Sequence, residues 1–239
     1  MLTPEEYKRY SKQVALPQIG LGGQQKLKTA KVLVVGAGGL GCPALLYLAG
    51  AGIGTIGVAD GDVIEVSNLP RQVLYGNESI GKKKAAEARR VLAAINPMVK
   101  VIVYEEFLTA QNAGRIMQDF DVVIDATDNL ETRYLLDEVC VALQKPWIFG
   151  GVYQYEGQLS VFNYPANKGA GYKDIYPKKE HLETPEDCNL AGVLGVLPGI
   201  IGCMQAAECI KIILGMNDVM SGKLVVFNLQ SMQTLVFEI

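Results

Sequence analysis

Residues 31–43 read KVLVVGAGGLGCP, a run of branched apolar residues that stops in a glycine cluster and resumes as an apolar stretch. Few local patterns restrict a chain so tightly. A buried strand must hand over to a helix within a few residues, and glycines let the backbone turn that sharply while leaving its amides bare. In Gly36-Ala37-Gly38-Gly39-Leu40-Gly41, Gly36 takes the tight turn, Gly38 lets phosphate approach the main chain, and Gly41 allows close packing of helix on strand. Amides at the helix start then face an anion. Asp60 ends the next strand, where a carboxylate accepts hydrogen bonds from ribose hydroxyls. A structural turn without ligand is the alternative, but strand, helix and acid stand in register for a bound mononucleotide or dinucleotide.

The pattern around this turn alternates. KVLVV (31–35) precedes a helix from about Leu40 to Ala51, TIGVAD precedes a helix from Lys82 to about Ile95, and VKVIVYE precedes one near Ala110 to Met117. DVVIDA (121–126) precedes a helix from Glu131 to Leu143, and PWIFGG closes the series. Short apolar strands separated by helices imply right-handed crossovers and a Rossmann-like, doubly wound, mainly parallel α/β sheet. After Gly151 the stretch YQYEGQLSVFN alternates apolar and polar residues, which predicts an antiparallel C-terminal extension completed by GKLVVFN and QTLVFEI. Residues 164–189 carry Pro165, Pro177, Pro185 and many charges, and read as a long surface loop. No repeat or low-complexity tract interrupts this, so the 239 residues read as one continuous unit.

The segment DGDVIEVSNLPRQ places Asn68 and Arg71 shortly after Asp60, and Lys84 opens the next helix. A dinucleotide's pyrophosphate is already served by the helix terminus. A nucleoside triphosphate brings further negative charge for Arg and Lys to neutralise. Taken singly, Arg71 also reads as a surface cation and Lys84 as one of three lysines on a solvated face. In DVVIDATDNLETR, Asp128 and Asn129 fall at the carboxyl edge of the sheet, where Asp128 could hold Mg²⁺ against phosphate oxygens or cap the following helix.

A net charge of -3 gives no sign of the strongly basic face that nucleic acid or anionic membrane would normally require, so neither partner is expected. The uncharged run from Asn189 to Ala207 holds four glycines and a proline, and reads as a buried loop entering a core helix. The N-terminal MLTPEEYKRYSKQ is charged and helical in character, unlike a secretory leader, and the five cysteines form no CxxC pair. A reducing, cytoplasmic setting is expected.

Six stretches in order, RYSKQ, GAGGLG, DGDVIEVSNLPRQ, GKKK, DATDN and CNLAGVLGVLPGIIGCMQAAECIK, resemble the bacterial relatives of the ubiquitin-activating enzymes. These are the adenylyltransferases of ubiquitin-like sulfur carriers, which serve molybdopterin or thiamine-thiazole synthesis. The resemblance implies ATP·Mg²⁺-dependent activation of a carrier ending in Gly-Gly, whose terminal carboxylate attacks the α-phosphate to give an acyl-adenylate and pyrophosphate. Gly39 then lies by the phosphates and Asp60 on the ribose. Asp62, Ser67, Asn68, Arg71 and Lys84 join the nucleotide set, and Asp128 with Asn129 serves metal and nucleotide. It further implies a homodimer and a single adenylation unit: a helical arm (1–30), a nucleotide-binding half (31–151) and an antiparallel half (152–239) whose loop 164–189 meets the carrier.

The chain departs from the family pattern in two places. Where relatives carry a second arginine that reaches the partner's nucleotide, this chain has Lys12, with Arg9 as an alternative donor. The CxxC pairs that hold zinc in many relatives are absent, so no zinc is expected and the loop must be held by packing or move until carrier binds. Cys188 aligns with a thiol that some relatives link to the carrier, although a small buried hydrophobe is an equal reading; Cys42, Cys140, Cys203 and Cys209 read as core. His181, the only histidine, reads as a surface residue. Competing functions are an NAD(P)-dependent oxidoreductase, an enzyme like the tRNA threonylcarbamoyladenosine dehydratases, and a non-catalytic partner subunit.

Overall fold

The computed structural model describes residues 1–166, 169–177 and 192–239. Two helices, α1 (Pro4–Val14) and α2 (Gly20–Thr29), precede the sheet. Thr3 and Glu6 close a reciprocal capping box at the start of α1, with Pro4 at the first turn, so the first helix is set by its own sequence. The arm is tied down by polar contacts: the Gln24 side chain donates to the Ala51 carbonyl (2.9 Å), and Asn96 donates to the Tyr10 hydroxyl (2.8 Å).

The first wound half follows as β1 (Lys31–Val35), α3 (Gly41–Ala51), β2 (Thr55–Ala59), α4 (Lys84–Ile95), β3 (Lys100–Tyr104), α5 (Ala113–Met117), β4 (Val122–Asp125), α6 (Leu130–Ala142) and β5 (Trp147–Tyr153). β6 (Glu156–Phe162), α7 (Tyr172–Ile175), α8 (Val196–Leu214), β7 (Lys223–Asn228) and β8 (Gln233–Glu238) complete the chain. All eight strands form one sheet in the order β3-β2-β1-β4-β5-β6-β7-β8, parallel as far as β5 and antiparallel beyond it. The expected division at residue 151 therefore falls inside a strand. β5 pairs parallel with β4 on one edge and antiparallel with β6 on the other, so the change of texture marks a change of partner.

Strand alternation distributes the core over both faces of the sheet. Val32 and Val34 face α3, α4 and α8, whereas Leu33 and Val35 face the layer of Met117, Phe120 and Leu136. The strands are apolar on both sides because helices cover both. Part of the expected surface loop also belongs to this core. Tyr172 is 1% exposed and packs among Trp147, Phe149 and Phe162, with ring centroids 5.8, 5.4 and 6.0 Å away. An aromatic cluster thus captures residues that proline and charge content assign to solvent.

Helix α8 is long and apolar enough to cross a membrane by length and composition alone, yet half of that window is buried in the protein. Leu197, Ile201, Cys209 and Ile212 form its inner face. Its outer side carries exposed Val196, half-buried Ile200, Cys203 and Ile210, and exposed Ala207. Cys203 was expected in the core; it is half-buried because it lies on this outer side, while Cys42, Cys140 and Cys209 are buried.

Two buried glutamates make the fold acid-sensitive. A bond from Arg90, then one from the Ser79 hydroxyl, holds the Glu87 carboxyl below its usual range, and Lys28 with the Thr3 amide does the same for Glu6. A carboxyl depressed on folding contributes stability above the ordinary glutamate pKa of about 4.3, and that contribution is lost as pH falls through the lowered value. The Tm should therefore fall on acidification below about pH 4.3, and Glu87→Gln should flatten that fall in a thermal-melt series; an unchanged slope would remove Glu87 from the account.

Candidate functional site

The carboxyl ends of β1, β2 and β4 open on a cavity of about 750 Å³, a size typical of small-ligand sites. Its floor is the glycine turn. Gly36 has φ +95°, and a Cβ there would stand 2.5 Å from the Ala126 carbonyl oxygen at the end of β4. A Cβ on Gly41 would stand 2.0 Å from the Gly36 carbonyl oxygen. Gly41 opens α3 and Gly36 directly follows β1, so the space left at Gly41 is what lets the helix start approach the strand end this closely. A Cβ on Gly38 would meet only the Gln72 amide nitrogen, at 3.6 Å, and Gly39 borders Pro198 and Arg71. Among the described residues the amides of Gly38, Gly39 and Leu40 donate to no backbone carbonyl, which leaves a bare cradle of the kind that binds anions.

Asp60 lies just beyond β2 and is 7% exposed. Its carboxylate accepts the amide of Ala37 (2.7 Å) and that of Asp62 (2.8 Å), bracing the turn and the loop after β2 together. Burial pushes its carboxyl above the ordinary range, against the pull of those two amides. Tyr75 adds a second brace, its hydroxyl donating to the Ala37 carbonyl at 2.9 Å.

The segment after Asp60 includes a 3₁₀ turn (Val66–Asn68), and Ser67, Asn68 and Arg71 line the cavity. Half-buried Arg71 donates to the Ser67 carbonyl (2.9 Å), exposed Ser67 donates to Glu65 (3.3 Å), and buried Asn68 accepts the Glu65 amide (3.2 Å). Lys84 is buried in the cavity wall, with Nζ 2.8 Å from the carboxylate of the more exposed Asp62. It is therefore not part of a solvated lysine face, although Lys82 and Lys83 are exposed.

Asp128 and Asn129 stand in the β4–α6 turn and both line the cavity. Asn129, not Asp128, caps α6, accepting the Thr132 amide at 2.9 Å. That removes helix capping as the explanation for Asp128. Its exposed carboxylate lines the cavity and could serve as a hard oxygen donor to a cation.

Two lining residues escape sequence reasoning. Gln72 is 3% exposed and its amide oxygen has no partner among the described residues. Arg133 is a half-buried cation beside the fully buried Asp125, which burial drives upward in pKa against the pull of Arg133 and Thr127. Both lie inside quoted motifs, and Arg133 is one helical turn after Asn129, a spacing that places it on the same side of α6. Lys12 is exposed on α1 and does not line this cavity, while Arg9 donates to the Ile95 carbonyl (3.0 Å). Cys188, His181 and most of the expected carrier loop lie outside the described residues.

A glycine cradle, a buried acid at the end of the second strand and converging cations at the carboxyl edge of a doubly wound sheet are the features of a Rossmann-like nucleotide-binding protein. Residues 10–239 match the ThiF family, and the chain belongs to it. It is 46% identical over 229 residues to a sulfur carrier protein adenylyltransferase of Thermus thermophilus, covering 95% of this chain and 84% of that one. It is 48% identical over 236 residues to a probable molybdopterin-synthase adenylyltransferase of Porphyra purpurea, covering 98% of this chain and 61% of the relative. An adenylyltransferase and sulfurtransferase of Aedes aegypti is 48% identical, with 95% of this chain matching 52% of its length. The chain thus spans between half and five-sixths of these relatives. Among solved structures, E. coli MccB superposes with a TM-score of 0.85 at 22% identity, over 99% of this chain and 71% of that one. That likeness speaks for the fold.

Proposed function

We propose that this protein is a nucleotidyltransferase that uses ATP to adenylate the C-terminal Gly-Gly carboxylate of a ubiquitin-like sulfur carrier, releasing pyrophosphate. One observation carries the reading: bare amides of the glycine turn, Arg71, Lys84 and the Asp128 carboxylate all border a single cavity. The relatives' names, with their adenylyltransferase activity and sulfur carrier, support the same chemistry. The pathway served is molybdopterin or thiamine-thiazole synthesis, and the described thiols, all free, fit a reducing cytoplasm.

No covalent help from side chains is required. In-line attack of a carboxylate on the α-phosphate needs the two held in line and the growing charge neutralised. The turn amides bind phosphate oxygens, Arg71 and Lys84 balance charge as pyrophosphate leaves, and Asp60 orients the ribose. Asp128 would hold Mg²⁺, which supplies Lewis-acid neutralisation of phosphate oxygens. Asp62 holds the Lys84 ammonium in place at 2.8 Å, aimed along the cavity wall.

We also infer a homodimer. The outer side of α8 is apolar from Val196 to Ile210, and exposed Tyr47 lies on α3, which packs against α8. A second copy would cover this face and bring Lys12 of one protomer toward its neighbour's site. Ala207→Arg, at an exposed α8 position, should shift the protein to monomer in sedimentation velocity; a dimer that persists would place the interface elsewhere.

Incubation with ATP, Mg²⁺ and candidate Gly-Gly carriers, followed by intact-mass measurement, tests the activity. A carrier heavier by an adenylyl group is expected. No adduct with any carrier, together with enhanced NADH fluorescence on mixing, would instead favour the oxidoreductase alternative.

A further inference from the structure

Arg133 carries more than one duty in the geometry. Its Nη2 donates to the Thr127 carbonyl in the β4–α6 turn at 2.9 Å and approaches the Gly150 carbonyl of β5 at 3.4 Å. Its Nε stands 3.4 Å from Asp125 Oδ2 at the end of β4, an ion pair rather than a hydrogen bond. The guanidinium carbon lies 5.1 Å from the centroid of the Phe149 ring. Asp125 is itself oriented, because Oδ1 accepts both the amide (3.0 Å) and the hydroxyl (2.6 Å) of Thr127.

One planar cation therefore joins the last residue of β4, the turn that follows it and the backbone of β5. The turn so held contains Asp128 and Asn129. It abuts the glycine turn, since the Ala126 amide donates to the Val35 carbonyl (2.8 Å) and its carbonyl is the atom that excludes a side chain at Gly36. β5 runs on from Gly150 to Val152 and Tyr153, which line the far wall of the same cavity. Burying a charge for stability alone is poor economy, because an apolar pair of equal volume is often as stable. A rigid fork that fixes several main-chain acceptors at once gives a reason for this one.

We propose that Arg133 is a positioning residue, whose guanidinium sets the stance of Asp128 above the glycine turn by clamping the β4–α6 turn to Asp125 and to β5. This rests on the nucleotide-binding reading of the cavity, and it needs no carrier. Lysine, a point charge without the planar fork, cannot reproduce the three-way contact.

The test is a double-mutant cycle of Arg133→Lys and Asp128→Asn, read by calorimetric binding of ATP with Mg²⁺ and with EDTA. Wild-type protein should show a gain in affinity from Mg²⁺. Arg133→Lys should lose about tenfold of that gain, with binding in EDTA little changed, a scale set by small misplacements in a preorganised site. On the Asp128→Asn background the same substitution should have no further effect. Equal losses with and without Mg²⁺, or additive effects in the cycle, would overturn the proposal and leave Arg133 a stability residue. Should Arg133→Lys fail to fold, Asp125→Asn takes its place in the cycle with the same expected pattern. Hydrogen exchange without ligand gives an independent readout: amides 127–132 should exchange faster in the variant, and unchanged rates would also count against the clamp. A protein that binds ATP·Mg²⁺ but adenylates no carrier would defeat the proposed activity while leaving this result interpretable. A wild-type protein that binds no ATP would remove the nucleotide reading, with the exchange rates still reporting on the clamp.

Discussion

Asp128→Ala is expected to abolish carrier-dependent exchange of pyrophosphate into ATP while leaving the fold intact. Asp128 is exposed, lines the cavity and does not cap α6, since Asn129 does so. Its removal therefore leaves no buried partner unpaired, and the melting temperature should move little, as exposed substitutions usually cost within about 0.5 kcal/mol. The chemistry should respond very differently. A carboxylate that holds the cation where phosphate charge accumulates acts in the transition state, and loss of one such electrostatic contact costs roughly 10²–10³ in turnover. Asn129→Ala is the informative contrast, because loss of the cap should cost about 1 kcal/mol of stability. Exchange retained by folded Asp128→Ala would refute the role assigned to that carboxylate.

Gly41→Ala should produce the largest loss of stability among single-methyl additions at this site. The new Cβ would fall 2.0 Å from the Gly36 carbonyl oxygen and 2.9 Å from its carbon, and both belong to backbone. Gly36 cannot yield freely, because its amide donates to the Ala59 carbonyl at the end of β2 (2.8 Å). Relief requires opening the turn, at a cost of about 3 kcal/mol, in the range of strained backbone sites. That is about 10 °C in Tm for a domain of this size, and the opened turn should also lose ATP. Gly50→Ala, in the same helix, is the control: nothing lies within 4 Å of its would-be Cβ, and alanine in a helix should stabilise by roughly 0.5–1 kcal/mol. Equal melting temperatures for the two variants would show that the turn is looser than its geometry implies.

Much of this protein can be read along the chain. Alternating apolar strands and helices determined the parallel half, since a strand covered on both faces must be apolar throughout, as Val32–Val35 are. GAGGLG with Asp60 determined where an anion would sit, because the turn needs glycine at Gly36 for its backbone angle and at Gly41 for space. Those are local constraints, and local constraints leave a mark in neighbouring residues. Asp128 was legible for the same reason, lying just past the end of β4, whose direction is fixed by the fold class, whereas Asn68 and Arg71 were legible as polar and cationic residues in the longer segment that follows Asp60.

Only the tertiary structure decided what distant segments do to one another. Whether Lys84 faces water or the cavity depends on how the loop after β2 folds back to place Asp62 against it. The burial of Tyr172 depends on an aromatic space opened by Trp147, Phe149 and Phe162, none of which is near it in the chain. Arg133 looks like one more helical cation until β4 and β5 are set side by side, when Asp125, Thr127 and Gly150 converge on it. Sequence periodicity reports which face of an element is apolar, but the charge a buried group meets is set by strand order and by the crossing of loops, and those emerge only when the sheet is assembled.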